Sequence, residues 1–334
     1  KKKINSFTIG FKDKTYDESS FVKNSNNNKN IKKIIYKKDL VKTFKIIKKN
    51  IYFPFGDSSS LPTLELFNIV KRKTNVIIGG DGGDEIFFGY LAFKVFYIIT
   101  LIRKVVPNFF LKLIKFPFKI IRISTGYLNL RKKIKFFFKY IDKDLHLMNN
   151  FWFTNFDEYD VKEYFKKDRE NNSSKNITKI RDLYNKFSDK NRFAQIYYIK
   201  YFLPMILTKV DFSSMLNSVE SRSPYLSKDL LNFSLDINTK KNFSLFQNRK
   251  LMKDIFNEFF NDKEKFVKHG FAFNKYLILN DKNLIRNNID DTKILNPIYF
   301  HKKHQEYLKG NYDYEQYLWN EIILNFSRQN LERE

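Results

Sequence analysis

Glycine is concentrated in one short segment of this chain. Of only ten glycines in 334 residues, five fall within eleven positions: Gly79, Gly80, Gly82, Gly83 and Gly89. They directly follow the apolar run at residues 76–78, and Asp81, Asp84 and Glu85 lie among them. Glycine permits positive φ and a close approach of the backbone to a ligand. The segment therefore predicts a buried strand that opens into a ligand-binding turn.

A turn of this kind exposes N–H groups at the carboxyl end of a parallel strand, where nucleotides bind. Carboxylates beside a phosphate site repel the phosphate unless a hard cation such as Mg²⁺ bridges them. The pattern thus favours a nucleotide site that includes a metal ion. The alternative is a plain β-to-α turn whose acidic residues cap a helix beginning at Ile86.

The residues before this turn predict a small α/β unit. Residues 7–11 form a β-rich run, residues 32–50 suit a strand followed by an amphipathic helix, and a helix runs from Ser60 to about Lys73. This order of strands and helices is typical of a parallel sheet with crossover helices. After Tyr90 helical periodicity dominates, so we expect a mainly helical remainder.

The net charge of +26 raises the question of a polyanionic partner. The excess is mostly lysine, dispersed along the chain together with Asn, Ile, Phe and Tyr, as compositional drift would produce. We therefore expect no nucleic acid and no membrane as partner, with a non-catalytic basic module binding one of them as the alternative. The basic, aromatic segment 103–141 suits a membrane-surface stretch or the solvated faces of core-packed helices.

Three sequence features favour a cytoplasmic location. The chain has no cysteine, so disulfides are excluded. The most apolar run, residues 91–102, is interrupted by Lys94 and is shorter than the ~20 residues that a membrane span needs. No secretory signal is present at the start. The first residue is Lys1 and not methionine, which suggests a piece of a longer chain.

Residues 76–90 resemble a signature of the asparagine synthetase family, a hydrophobic strand followed by S-G-[DE]-G-[AG]-D-E-[LI]-F-x-G-Y. Other family segments recur here in the same order. They are T-F-S-I-G-F…D-E-S at 7–19, P-F-x-D-x-S-x-x-P-T at 54–63, L-P…K-V-D-R-x-S-M at 203–215, S-L-E-x-R-x-P-[FY]-L at 218–226 and K-x-G-F at 268–271. His304, Gly310, Leu318 and Trp319 also fit the family's C-terminal helix. Nine of the ten glycines thus lie inside matched segments, and the resemblance extends from residue 6 to about 326.

The resemblance implies an ATP-dependent ligase that makes asparagine from aspartate. The aspartate carboxylate attacks the α-phosphorus of ATP, and ammonia released from glutamine then displaces AMP from the β-aspartyl-adenylate. ATP and Mg²⁺ are the implied cofactors, and a glutaminase domain in cis or in trans is the implied partner, with a possible homodimer. The runner-up is a related amidotransferase that acts on another carboxylate, for example in polysaccharide biosynthesis.

The resemblance also implies the fold class. We expect an α/β domain over residues 1–334, with a Rossmann-like parallel sheet of the adenine-nucleotide alpha-hydrolase type. Residues 1–90 would be the remnant of the nucleotide-binding part, and residues 91–334 a mainly helical part. The family's S-G-G-x-D-S pyrophosphate loop and its N-terminal glutaminase domain do not occur in this sequence. We therefore expect this chain alone to bind ATP weakly and to form no asparagine.

Site roles follow from the resemblance residue by residue. Asp81 would orient or deprotonate ammonia, Lys268 would stabilise phosphates and the forming intermediate, and Asp84 would bind Mg²⁺. Lys268 and Asp84 should then share one cleft, on the order of 10 Å apart. The residues expected to bind the nucleotide are Ile9, Gly10, Gly79, Gly80, Gly82 and Gly83.

Several residues remain open between two roles. Glu220 is either catalytic, shaping the substrate pocket, or half of an ion pair with Arg222 at a helix end. Asp211 is open in the same way, and His301 and His304 are either metal ligands or structural.

The sequence departs from the family pattern at three places, and these departures bear on substrate choice. Gly79 stands where serine is usual, Tyr52-Phe53 stand where an acidic pair is common, and Phe212 replaces the usual arginine.

Overall fold

The computed structural model describes residues 5–11, 13–17, 31–35, 40–120, 130–154, 170–244, 248–260, 273–289 and 297–333. The strands are β1 (Ser6–Gly10), β2 (Ile31–Ile35), β3 (Val76–Ile78) and β4 (Glu220–Arg222). The α-helices are α1 (Leu40–Asn50), α2 (Ser60–Val70), α3 (Gly83–Ile86), α4 (Leu91–Val105), α5 (Asn108–Lys115), α6 (Leu130–Tyr140), α7 (Leu145–Thr154), α8 (Glu170–Lys186), α9 (Lys190–Tyr197), α10 (Leu203–Met215), α11 (Lys228–Asp236), α12 (Thr239–Asn242), α13 (Lys250–Phe260), α14 (Tyr276–Leu279), α15 (Lys282–Ile289), α16 (Pro297–Leu308) and α17 (Glu315–Leu331). A π-helical turn lies at Tyr198–Phe202, and 3₁₀ turns lie at Phe116–Ile120, Pro224–Leu226 and Tyr312–Tyr314.

The strands form two separate parallel pairs. β1 pairs with β2, and Gly10 lies opposite Ile35. β3 pairs with β4, and Ile78 lies opposite Arg222. Among the described residues β1 and β3 share no hydrogen bonds. The mainly helical α/β character is confirmed. Strand β3 therefore lies in a different pair from the strand at residues 6–11, and a single Rossmann-like sheet is not confirmed.

The expectation that residues 76–78 form a buried strand is wrong. Val76 is 48% exposed and Ile78 is 78% exposed. Side chains alternate between the two faces of a strand, so only Ile77 turns inward, against the cluster of Phe67, Val70 and Val219. Phe7 of β1 packs against the same cluster. Strands β1 and β3 therefore share a supporting apolar layer without forming one hydrogen-bonded sheet.

The larger apolar core joins α1 and α2 to the C-terminal helices. Phe44 of α1 packs against Phe326 and Trp319 of α17, with ring centroids 5.2 Å and 6.2 Å apart. The amide of Asn330 donates 2.8 Å hydrogen bonds to the carbonyl oxygens of Lys48 and Ile51. These carbonyls belong to the end of α1, which has no intrahelical partners for its last carbonyls. The end of the chain thus holds α1 in place.

A second apolar core lies under the glycine-rich turn. Phe88, Phe93, Phe96 and Phe193 are almost fully buried in it, and the rings of Phe93 and Tyr198 lie 4.2 Å apart. This core is built mainly from helices that follow the turn, so the turn lies between the strands and the helical part.

The segment Gly83–Val105 is longer and more apolar than the run at 91–102 suggested. Within the described part of the chain, it alone has the length and composition to cross a membrane. However, 56% of its most apolar window is buried inside the protein. Phe88 also has a positive φ of 58°, which separates α3 from α4. We therefore assign this segment to the protein core.

Candidate active site

The glycine-rich turn leaves the end of β3. The N–H of Gly79 donates a 2.8 Å hydrogen bond to the carbonyl oxygen of Arg222, which extends the pairing with β4 by one step. Gly82 then adopts a φ of +90°, and a Cβ there would lie 2.3 Å from Cδ2 of Leu226. Both the left-handed backbone and the packing require glycine at this position. The strand–turn–helix arrangement is as expected from the sequence.

The glycines of the turn differ in what surrounds them. A Cβ on Gly83 would lie 3.3 Å from the Tyr225 ring, so packing explains that glycine. A Cβ on Gly80 would meet nothing within 4 Å. Protein packing therefore does not require glycine at position 80, and this stretch of backbone is open to a ligand.

A buried charge cluster involves Asp57, Ser59 and Lys209. The Lys209 ammonium lies 3.2 Å from Oδ2 of Asp57 and donates a 3.0 Å hydrogen bond to Oγ of Ser59. Ser59 donates to Oδ1 of Asp57 from its N–H at 2.9 Å and from its hydroxyl at 2.6 Å. Lys209 is only 6% exposed. The cluster joins the residues before α2 to the middle of α10.

Charge pairing sets the protonation state of Asp57. Burial disfavours its charged form, but the cation of Lys209 and the hydrogen bonds from Ser59 outweigh burial. The net result is a pKa of Asp57 below its ordinary value of 3.8. Asp57 and Lys209 are thus held as an ion pair.

Asp81 of the turn interacts electrostatically with this cluster. Burial raises the pKa of Asp81, the positive charge of Lys209 opposes the rise, and the negative charge of Asp57 adds to it. The net effect is a pKa above the ordinary value of 3.8. A carboxylate with a raised pKa is a better proton acceptor than a free aspartate. Asp81 therefore has the electrostatic environment of a general base.

Glu85 and Tyr90 form a hydrogen bond beside the turn. The Tyr90 hydroxyl donates a 2.6 Å hydrogen bond to Oε1 of Glu85, which is 1% exposed. Burial raises the pKa of Glu85, and the hydrogen bond from Tyr90 opposes that rise. The amide of Gln195 donates a 2.7 Å hydrogen bond to the carbonyl oxygen of Ile86. Contacts of this kind hold the short helix α3 against the helical part.

Asp84 forms an ion pair with Arg249. The two charged groups lie 3.1 Å apart, and neighbouring Asn248 donates a 3.1 Å hydrogen bond to the carbonyl oxygen of Tyr90. Among the described residues no group of three or more His, Cys, Asp or Glu side chains could hold a metal ion. The described residues therefore do not supply a Mg²⁺ ligand set around Asp84, and its metal role stays a prediction.

The remaining predicted residues are Glu220, Ile9, Gly10 and Lys268. Glu220 lies opposite Val76, at the end of the β3–β4 pair remote from the turn, and forms a 2.9 Å exposed ion pair with Arg222. This pair lies on a strand and not at a helix end. Ile9 is buried in the core formed with α1 and α2, and Gly10 lies beside it. Lys268 lies outside the described residues, so its shared cleft with Asp84 stays a prediction.

The structure also describes His304, Asp211 and Phe212, which the sequence analysis singled out. His304 is buried, and its Nε2 lies 2.8 Å from the carbonyl oxygen of Leu279, which is a structural role. Asp211 is exposed on α10. Phe212 packs edge-on against Phe55, with ring centroids 5.2 Å apart, so an apolar pair stands where the resemblance expects an arginine.

Sequence reasoning assigned no role to Lys209 or to Arg249. Lys209 was part of a matched segment, but a single lysine in a chain with 62 Lys and Arg residues gives no sign of burial. Arg249 has a positive φ of 52°, which no sequence pattern indicates. Both pairings join residues more than 140 positions apart, so only the fold reveals them.

The chain is similar to a known protein family over most of its length. A sequence model described as asparagine synthase matches residues 1–328. The chain belongs to the asparagine synthase family. A Methanocaldococcus jannaschii protein, named as a candidate glutamine-hydrolyzing asparagine synthetase, is 30% identical over 125 residues. The aligned part covers 32% of this chain and only 21% of that relative.

Proposed function

We propose that this chain carries the ligase site of an ATP-dependent amide-forming enzyme that converts aspartate to asparagine. Family membership supports the reaction class. The observation that carries the proposal is the charge cluster of Asp57, Ser59 and Lys209 coupled to Asp81 at the end of β3. Asp81 lies in a turn whose backbone is open to a ligand at Gly80.

The proposed chemistry has two steps. A carboxylate oxygen of aspartate bonds to the α-phosphorus of ATP, the bond to the β-phosphate oxygen breaks, and pyrophosphate leaves. Ammonia derived from glutamine then bonds to the activated carbonyl carbon, the carbon–oxygen bond to AMP breaks, and AMP leaves. The attacking nitrogen must lose one proton, and Asp81 accepts it.

Burial and the charge of Lys209 have opposite effects on Asp81, the proposed proton acceptor of the second step. Burial raises the pKa of Asp81 and so strengthens it as a proton acceptor. The neighbouring cation of Lys209 opposes that rise and so favours the ionised form of the carboxylate. No step is assigned to a metal ion, because the described residues form no ligand set for one. The roles of Mg²⁺, Lys268 and the glutaminase partner, the possible homodimer and the cytoplasmic location stay predictions.

A second candidate function is an amidotransferase that acts on another carboxylate, for example one carried by a polysaccharide precursor. The packing of Phe212 against Phe55 favours it, because an apolar pair offers no cation to a second carboxylate such as the α-carboxylate of aspartate. Pyrophosphate release with a panel of carboxylic acids distinguishes the two functions. The second function is supported if another carboxylic acid gives clearly faster pyrophosphate release than aspartate does.

Because this chain alone is expected to form no asparagine, the test of the first proposal separates the two half-reactions in the protein restored with the upstream pyrophosphate loop. Asp81→Asn keeps the size of the side chain but removes the proton acceptor. Aspartate-dependent exchange of labelled pyrophosphate into ATP should persist, whereas amide formation from ammonium should fall by about 10²- to 10⁴-fold. Asp229→Asn, an exposed change on α11, is the matched control. Equal loss of both half-reactions, or no loss, would show that Asp81 is not the base.

A further inference from the structure

Helix α5 exposes its apolar side chains instead of burying them. Val105, just before α5, is 83% exposed, and within and just after the helix Phe109 is 67% and Phe116 is 68% exposed. Phe110, Leu113 and Ile114 are also exposed. We call these six residues the α5 patch. Large contiguous apolar patches are rare on protein surfaces and mark interaction sites.

The orientation of α5 is fixed by contacts on its other side. Leu111 is only 1% exposed and packs in the second core beside α4 and α7. The Lys115 ammonium forms a 2.7 Å ion pair with Asp142. In an ordinary surface helix the apolar stripe faces the protein core. In α5 one apolar residue anchors the helix, and the larger apolar face is directed to solvent.

The charge around the α5 patch is mainly positive, although Asp142 pairs with Lys115 and Asp313 pairs with Lys135. No Asp or Glu occurs between Glu85 and Asp142, whereas twelve Lys and Arg residues occur in that interval. Lys104, Lys112, Arg131 and Lys133 are exposed. They lie on α4, α5 and α6, and α6 contacts α5 and the 3₁₀ turn that follows it. The patch is therefore an apolar surface within a cationic region.

We propose that the α5 patch binds the surface of an anionic lipid bilayer, with its apolar residues at the acyl boundary and its lysines at the headgroups. Interfacial helices combine an apolar face with a Lys/Arg-rich polar face in this way, and anionic lipids attract such basic clusters. This proposal reverses the sequence-based expectation of no membrane partner, and it is independent of the proposed reaction.

The composition of the α5 patch favours lipid over other occupants. Single-stranded nucleic acids bind aromatic side chains by stacking, but Val105, Leu113 and Ile114 are aliphatic and have no ring on which a base could stack. A second copy of the chain would bring two cationic regions together, and like charges repel. An anionic bilayer matches both the apolar side chains and the charge.

The test is flotation of the purified protein with lipid vesicles. One set of vesicles contains phosphatidylcholine alone, and the other contains phosphatidylcholine with about 30% phosphatidylglycerol, an anionic lipid. We expect flotation with anionic vesicles and at least tenfold less bound protein with neutral ones. Phe109→Ser combined with Leu113→Ser should reduce binding at least tenfold. Lys112→Gln should reduce it about fivefold, since one surface charge contributes about 1 kcal/mol. Raising the salt to 0.5 M should also weaken binding.

Ile298→Ser is the matched control, because Ile298 is an exposed apolar residue on α16, far from the patch in sequence. It should float like the wild type. Phe109→Trp provides a direct readout, since its emission should shift to the blue only with anionic vesicles. Three results would overturn the proposal: no flotation, equal flotation of the Phe109/Leu113 variant, or patch changes that alter only the oligomeric state or RNA binding.

Discussion

The pair of Asp57 and Lys209 offers the sharpest test of the site's construction. Lys209→Met keeps the length of the side chain but removes the charge. Asp57 would then retain its two hydrogen bonds from Ser59 but lose the cation at 3.2 Å. Removing one partner of a buried pair costs about 3–5 kcal/mol, because a buried charge is left uncompensated. The Asp57 side chain keeps 16% exposure, so we expect a loss near the low end, about 3 kcal/mol.

The assay is urea unfolding of the wild type, Lys209→Met, Asp57→Asn and the double variant, followed by circular dichroism at pH 7. Each single change should lower the free energy of unfolding by about 3 kcal/mol. The double variant removes both charges of the pair, so it should be at least about 2 kcal/mol more stable than the sum of the single losses predicts. Lys228→Met, an exposed lysine on α11, should change stability by no more than about 0.5 kcal/mol.

The pH dependence provides an independent check. Since the pKa of Asp57 is lowered in the folded protein, its contribution is fully present above the ordinary value of 3.8 and is lost as pH falls through the lower folded-state value. The difference between wild type and Lys209→Met should therefore shrink in acid, below about pH 4. An unfolding free energy of Lys209→Met equal to that of the wild type, or additive single losses, would refute the reasoning.

Four further predictions concern other parts of the chain. Burial raises the pKa of Glu321 from 4.5 to about 8, so wild-type stability should fall by about 5 kcal/mol as pH rises between those values. Glu321→Gln should remove this fall in urea titrations at several pH values, whereas Glu332→Gln, an exposed change at the end of the same helix, should not. Gly82→Ala should cost about 2–4 kcal/mol, since a Cβ would be both strained and overpacked. Gly80→Ala should leave thermal unfolding almost unchanged but weaken ATP binding measured by calorimetry. Asn330→Ala should lower stability by about 1–3 kcal/mol, because two carbonyls at the end of α1 lose their donor.

Local order of elements could be predicted because it depends on short-range chemistry. The helix beginning at Ser60 is confirmed as Ser60–Val70, and the strand and helix expected within 32–50 are confirmed as Ile31–Ile35 and Leu40–Asn50. Gly82 at a φ of +90° agrees with the reading of the glycine cluster as a turn. Ser59 holds the N-cap position of this helix, and Asp57 accepts hydrogen bonds from the N–H and the hydroxyl of Ser59.

Pairing between distant segments could not be predicted in the same way. The sequence did not indicate the partner of β3, which pairs with residues 220–222, over 140 positions away. Periodicity indicates that a strand exists and which side chains alternate, but it does not select the partner. The exposure of Val76 and Ile78 depends on which elements cover each face, and no local pattern contains that information.

The sequence by itself determined the family, the turn and the identity of Asp81 as a candidate base, because these depend on residue types at fixed short spacings. Only the tertiary structure decided that Lys209 pairs with Asp57 and that Arg249 pairs with Asp84. Ion pairs and pKa shifts depend on distance and burial in space. Those quantities arise when segments far apart in the chain pack together, and a one-dimensional pattern does not specify them.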